Sequence, residues 1–386
     1  MNEVRVNRRA AGRIASGHPW IFSSDVLDRG NAAPGDAVKV IGPNGRPLGT
    51  AHYSSTSEIA LRLLSEKPEP IGPDFFASRL AAARAHREKV VSGSEAYRLV
   101  YGEADGLPAL IVDRYKDWLA IQTLDQGMDR AQPEILACLR EMFSPAGIVA
   151  RNDVAVRKKE NLPLETRVLD GSPPENHCVT MNGLVFHIDL IHGQKTGIYL
   201  DQRENYPAVA RYARGRALDC FTSTGGFALH LAAKCESVEA ADSSAEALRL
   251  AGQNKVANGL RNIDFRQADI FELLAGYAAA GRKFETVVLD PPAFAKSRGA
   301  LEGAARGYKE INLRALRLLG SGGILASCSC SHHMSEAMLL ETIASASLDA
   351  GRTLRVLERR TQAQDHPILL TVPETHYLKC LILQVV

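Results

Sequence analysis

Along residues 1–68, apolar positions alternate with polar ones in short runs, at 37–41, 48–53 and 59–64, and Gly, Pro, Asn or Ser separates one run from the next. A period of two bounded by turn formers predicts a small β-rich domain. The Pro-containing stretch 67–73 (KPEPIGP) reads as a linker, and the amphipathic run 75–91 behind it reads as a helix. Strands are predicted at 97–101, 110–112, 118–123, 147–151 and near 179–190, with a helix over 130–143. Residues 74–189 are therefore expected to form a second, α+β module.

From about residue 190 the rhythm changes. Strand-length apolar runs at 217–220, 238–241, 263–266, 286–289 and 324–327 are each followed by a helical stretch, the pattern of a doubly wound parallel sheet. Two more strands, 354–358 and 377–385, follow without a long helix between them. Residues 190–386 are expected to be an α/β, Rossmann-like domain, and no internal repeat interrupts the three-part division.

Size and composition narrow the class. A chain of 386 residues suggests two or three domains, and 45% hydrophobic with 23% charged residues excludes a disordered or fibrous protein. No apolar stretch approaches the roughly 20 residues of a membrane span. The first residues, MNEVRVNRR, carry charge with no apolar region behind them, so a cytoplasmic enzyme with no membrane partner is expected. Seven scattered cysteines without a CxxC pair suggest reduced thiols, with neither a disulfide framework nor a metal site. Net charge is only +2, but Arg5, Arg8, Arg9 and Arg13 oppose only Glu3 in the first sixteen residues. That basic end is either solvated or a nucleic-acid contact, and Trp20 is open to the same two readings.

The chemistry concentrates where apolar runs stop, which in open α/β sheets is the ligand-binding edge. After the first strand, Asp219-Cys-Phe-Thr-Ser-Thr-Gly-Gly-Phe227 leads into a helix, and its Phe221, Thr224, Gly225 and Gly226 line a turn that lets backbone approach a ligand. The spacing is not GxGxxG, so a pyrophosphate is disfavoured and a ligand with a cationic amino acid group suits Asp219 better. Asp242 ends the second strand, where a carboxylate accepts from ribose hydroxyls, and Asp269 follows the third, placed for an adenine amino group. Each of these two also fits a helix N-cap. The order of elements and loops resembles that of the class I S-adenosylmethionine-dependent methyltransferases.

Two later segments form the reacting half. In 289–297 (LDPPAFAKS), Pro291 and Pro292 stiffen the loop, Asp290 can accept from a ring or amino N–H, and Phe294 can stack on a base. In 327–332 (SCSCSH), Cys330 supplies the thiolate that carbon 5 of a pyrimidine needs added at carbon 6 before it can take a methyl group. Methylation of nitrogen needs no thiolate. Cys328, nearer the strand body, is expected to be buried, and His332 and His333 are candidate bases or thiol partners, with surface or cap roles equally open.

Together these segments resemble the ribosomal RNA large subunit methyltransferase I family along nearly the whole chain. Further matching segments are 17–22 (GHPWIF), 102–108 (GEADGLP), 193–205 (GQKTGIYLDQREN) and 365–367 (DHP). The resemblance implies an N-terminal PUA domain that binds RNA, a central α+β domain and a methyltransferase domain that makes 5-methylcytidine in large-subunit rRNA. It adds Gln202 and Arg203 to the S-adenosylmethionine site, gives Cys330 the nucleophile's position, and allows a homodimer. Three positions depart from the usual pattern: Ser223 stands for a common Tyr, Tyr206 for a common Arg, and Ala293 for the second Cys that many RNA cytosine-5 enzymes carry. A methyltransferase acting on a purine nitrogen, and a non-catalytic RNA-binding assembly factor, are the competing expectations.

Overall fold

The computed structural model describes all residues except Gln194, Lys296 and Ser297, with Arg298 described by its backbone alone. One position of 193–205 and two positions of 289–297 therefore lie outside the described residues. Among the described residues, strands assemble into sheets of six, five, two and seven. The chain divides into two compact units, 1–179 with 188–197 and 364–375, and 180–187 with 198–363 and 376–386. Segments 188–197 and 364–375 thus pack with the first unit, although by order along the chain they fall within the C-terminal part. No described helix is long and apolar enough to cross a membrane.

In the first unit, β1 (Glu3–Val6) buries Val4 and Val6 and is followed by a helix, α1 (Arg8–Ala15), which the sequence pattern did not suggest. Its signals are local: the Asn7 side chain caps it by accepting from Ala10 N at 2.9 Å, and Ala10 and Ile14, four apart, point inward. Strands β2 (Trp20–Phe22), β3 (Val26–Asp28), β4 (Ala37–Ile41), β5 (Pro47–Tyr53) and β6 (Ile59–Ser65) complete a sheet ordered β2-β6-β5-β4-β1-β3. Arg13 is not a free solvated charge, because it pairs with buried Asp25 at 2.9 Å and lies over the Phe22 ring. Trp20 donates to Glu103 Oε1 at 2.7 Å. Arg5, Arg8 and Arg9 remain exposed.

Helix α2 (Pro73–Val90) leads into strands β7 (Ala96–Tyr101), β8 (Leu110–Tyr115) and β9 (Trp118–Thr123). The helix expected over 130–143 is two, α3 (Gln126–Arg130) and α4 (Gln132–Phe143), because Pro133 cannot donate within a continuous helix and instead occupies the first turn of a new one. Strand β10 (Gly147–Arg151), short helix α5 (Val156–Lys159) and β11 (Thr166–Asp170) finish a sheet ordered β11-β10-β9-β8-β7. The 365–367 segment clamps this unit from within: Asp365 Oδ2 accepts from Arg98 N and its carbonyl accepts from buried Arg87 Nη2, each at 2.8 Å. Arg87 also pairs with Asp105 of 102–108.

The strand expected near 179–190 is a hairpin of β12 (His177–Met181) and β13 (Leu184–Ile188). The second unit continues with α6 (Asn205–Ala210), β14 (Arg216–Cys220), α7 (Gly226–Ala232), β15 (Ser237–Asp242), α8 (Ala245–Ala257), β16 (Ile263–Gln267), α9 (Ile270–Ala279) and β17 (Phe284–Leu289). It ends with α10 (Leu301–Leu318), β18 (Leu319–Ser329), α11 (Glu336–Asp349), β19 (Leu354–Arg360) and β20 (Lys379–Val385). The sheet runs β16-β15-β14-β17-β18-β20-β19, parallel except for β20, which is antiparallel to both neighbours. Strand order reverses between β14 and β17, so the crevice for ligands opens at their carboxyl ends.

Buried charge in the first unit ties β5 and β6 to α3 and α5. Glu160, fully buried, accepts from the Ser54 hydroxyl and from Arg62 at 3.1 Å, while Asp125 lies 3.5 Å from the same guanidinium. Burial nonetheless raises Asp125 to about 6, since desolvation outweighs the Arg62 charge. Removing Glu160 leaves Arg62 with the more distant carboxylate alone. Glu160→Ala is expected to cost about 3 kcal/mol in urea unfolding; a loss below about 1 kcal/mol would show that the pair contributes little.

Candidate functional site

Three parallel strands share one register near their carboxyl ends. Cys220 of β14 pairs with Leu289 of β17, and Leu289 with Ser327 of β18, so the glycine turn, the DPPAF loop and the Ser-Cys-Ser loop leave one edge of the sheet side by side. Asp290 N donates to Cys220 O at 3.3 Å, joining the first two at their roots.

Asp219 organises the glycine turn. Its Oδ2 accepts from Thr222 Oγ1 at 2.6 Å and Ala228 N at 2.9 Å, while Oδ1 is buried with no partner among the described residues. Burial, with Asp290 and Asp242 adding to it, raises this carboxyl to about 7. An unsatisfied buried acceptor is what a ligand ammonium would fill, so Asp219 fits the amino acid end of S-adenosylmethionine. The turn needs three left-handed residues, Phe221 (φ 65°), Ser223 (φ 50°) and Gly225 (φ 89°). Only the last is free of the Cβ penalty. Gly226 is required for a different reason: a Cβ there would lie 2.4 Å from the Tyr206 ring. Tyr206, at the position where the resemblance has Arg, also donates to Tyr199 O at 3.1 Å. Thr224 is buried, and its carbonyl accepts from Asn254 Nδ2 at 3.0 Å.

The two acidic residues that also fitted helix caps differ in what they do for the backbone. Asp242 is not a cap, because Ser244 caps α8; its Oδ2 accepts from Ser223 N and its Oδ1 from Ser244 N, both at 2.9 Å, which holds the glycine turn against β15. Each oxygen keeps a second lone pair for a ligand. Asp269 is exposed and does cap α9, accepting from Glu272 N at 3.0 Å.

Around the second loop, Gln202 is buried and points at Asp290 rather than at the glycine turn, donating from Nε2 to Asp290 Oδ1 at 2.9 Å while accepting from Asn205 Nδ2 at 2.7 Å. Arg203 is buried 3.4 Å from Glu204. Pro291 is buried and Pro292 exposed, and Phe294 is half-buried against Tyr308, with ring centroids 4.8 Å apart. The Cys330 sulfur, also half-buried, is 3.8 Å from the Pro291 carbonyl oxygen. Cys328 is fully buried opposite Cys380 on β20, and that sulfur neighbour, then burial, pushes its thiol far up, leaving it inert. His332 is exposed with its ring 5.4 Å from Tyr377, and His333 is half-buried.

Sequence reasoning missed the groups that brace these loops. Ser331 Oγ accepts from Ala295 N at 3.3 Å and lies 3.2 Å from Tyr308 OH, which in turn accepts from Ser329 Oγ at 2.9 Å. Lys379, at the start of β20, donates to Ser331 O at 2.7 Å and Tyr377 O at 2.8 Å. Neither Tyr308 nor Lys379 lies in a motif, and no sequence signal singles them out. Among the described residues no cluster of three His, Cys, Asp or Glu could hold a metal, and the seven cysteines are free thiols.

Comparison with known proteins agrees with this geometry. Residues 4–66 match a PUA-like domain and residues 97–383 an S-adenosylmethionine-dependent methyltransferase. A ribosomal RNA large subunit methyltransferase I from Shewanella amazonensis is 42% identical over 377 residues, 95% of each chain. A solved chain from Streptococcus mutans, described as a SAM-dependent methyltransferase, superposes over 100% of both chains with a TM-score of 0.85 at 20% identity. A second methyltransferase structure, complexed with SAH, gives 0.86 at 20% identity, again over 100% of both chains.

For Asp219, the folded value of about 7 lies above the ordinary 3.8. Its contribution to stability is complete below the lower value and is lost as pH rises through the upper one. Between pH 6 and 8 the ligand-free wild type is expected to lose about 1 kcal/mol relative to Asp219→Asn in thermal unfolding. Calorimetry of the same variant should show at least tenfold weaker S-adenosylmethionine binding. Parallel pH profiles with unchanged affinity would remove Asp219 from the ligand site.

Proposed function

Because the chain belongs to the ribosomal RNA large subunit methyltransferase I family, S-adenosylmethionine-dependent enzymes of rRNA with an N-terminal PUA-like domain, we propose that it forms 5-methylcytidine through a covalent Cys330 adduct. The observation that carries this reading is the Cys330 sulfur 3.8 Å from the carbonyl oxygen of Pro291, in the loop headed by Asp290. A half-buried thiol at the root of a stiff acid-Pro-Pro loop suits a flat ring held by Asp290 and stacked on Phe294.

S-adenosylmethionine supplies an electrophilic methyl group. In the proposed reaction the Cys330 thiolate forms a bond to carbon 6, and the displaced double-bond electrons let carbon 5 take that methyl, leaving S-adenosylhomocysteine. A base then removes the carbon 5 proton, the ring double bond reforms, and the sulfur–carbon bond breaks to return the thiolate. Since Ala293 stands in place of a second Cys, that base is not a thiolate of the DPP loop. Asp290, steadied by Gln202, holds the base edge, while Asp219, Asp242, Asp269, Arg203, Phe221, Thr224, Gly225 and Gly226 hold the methyl donor. The exposed Arg5, Arg8 and Arg9 on the PUA-like domain suit phosphate contacts, and a substrate in ribosomal RNA fits a cytoplasmic location.

Ala293 is also the observation that favours a second reading, methylation of a purine nitrogen, which uses the same loop and no adduct. Nucleoside mass spectrometry of rRNA treated with wild type or Cys330→Ala and labelled S-adenosylmethionine separates the two. The expected result is 5-methylcytidine from the wild type and at least a thousandfold loss with the variant; a methylated purine made equally by both would replace the covalent reading. No transfer to any rRNA preparation would favour a role in RNA binding alone.

A further inference from the structure

We propose that Lys379 is the positioning residue that makes Cys330 a nucleophile, by holding the Ser-Cys-Ser loop in place and supplying the positive charge its thiolate faces. The inference rests on the reading of Cys330 as the attacking group. Its grounds are geometric. Lys379 is 3% exposed, and both acceptors of its ammonium group are main-chain carbonyls, Ser331 at 2.7 Å and Tyr377 at 2.8 Å. A buried cation satisfied only by neutral acceptors keeps its charge available to a nearby anion. One of those carbonyls belongs to the residue after Cys330, and β20 pairs Lys379 directly with Ser329, the residue before it. The cation therefore sits beneath the loop that carries the thiol.

The charges around the site suit such a cation. Burial first, and then nearby negative charge, raises the phenols of Tyr199 and Tyr308; Asp290 adds to both, and Asp201 and Asp242 to Tyr199. Cys330 acts on the same two phenols, so the sulfur shares this acidic surrounding. Carboxylates alone would push a thiol up and blunt it. Burial brings the Lys379 ammonium down to about 8, against the charges of Cys330 and Glu336, which favour its charged form. At neutral pH it is still mainly charged. Among the described residues, His332, Tyr377 and Tyr308 are further titratable groups beside the loop.

The arrangement also ties the loop both to the DPPAF segment and to β20. Ser331 is held on both sides, its hydroxyl accepting from Ala295 N and its carbonyl accepting from Lys379. Cys330 is thereby fixed between two anchored neighbours, Ser329 and Ser331. Replacing Lys379 with Met removes the charge and keeps the length of the side chain; replacing it with Arg keeps the charge.

The test is the rate of Cys330 alkylation by iodoacetamide against pH, read at the Cys330 peptide by mass spectrometry on the full-length protein. Wild-type Cys330 is expected to titrate below the usual thiol value of about 8.5. Lys379→Met should move the midpoint up by at least one pH unit, a tenfold slower reaction at pH 7, and Lys379→Arg should return most of it. A wild-type midpoint at or above the usual value overturns the proposal without any variant, as does a Lys379→Met profile that superposes on wild type. If Lys379→Met does not fold, the wild-type and Lys379→Arg profiles decide. Failure of the covalent reading shows elsewhere, as methyl transfer that survives Cys330→Ala, so the two outcomes are distinguishable.

Discussion

The shared register of β14, β17 and β18 near their carboxyl ends is the constraint on which the rest of the site depends. Adjacent strands lie about 4.8 Å apart, so three neighbouring strands that share a rung near their carboxyl ends bring the roots of their loops close together. Register does this without help from the loops themselves: Cys220, Leu289 and Ser327 are locked by main-chain hydrogen bonds in the most buried part of the sheet. A slip of one residue on β18 would turn Cys330 to the opposite face and bring Ser329 or Ser331 round in its place.

Electrostatic economy is the second theme. The second unit brings Asp201, Asp219, Asp242 and Asp290 near one another, and burial first, with Asp290 and Asp242 adding to it, raises the Asp219 carboxyl. Hydrogen bonds absorb part of the load: Asp242 takes two main-chain N–H groups, Asp201 takes the Tyr377 hydroxyl at 2.6 Å, and Asp290 takes the Gln202 amide. A methyl donor bearing both an ammonium and a sulfonium carries the complementary charge.

The sheet and its loops were legible because their signals are local. Continuous apolar runs mark the parallel strands to within a few residues, and the DPPAF and Ser-Cys-Ser segments follow two of them directly. Cap and site roles of Asp242 were not separable from sequence, since Ser244 two residues on offers an equally good cap and only the fold shows which is used. The short strands β1 to β3 were missed because three or four residues carry too little alternation to register. Lys379 and Tyr308 were invisible for a stronger reason. Lys379 comes to Ser331 from 48 residues away through antiparallel pairing, and Tyr308 from 23 residues away on a helix, so neither proximity exists until tertiary structure forms.

Strand β20 follows β19 in sequence but lies between β18 and β19 in space. Insertion between two strands is a long-range event that must wait for both neighbours, so it belongs to the slow part of folding. Until it happens, the glycine turn and the DPPAF loop have their own supports, while the segment bearing Cys330 lacks its pairing strand and its cation. If Lys379 acts as proposed, a half-assembled copy carries an ordinary, sluggish thiol, less prone to oxidation or adventitious adducts, and reactive sulfur arises only once the sheet is closed.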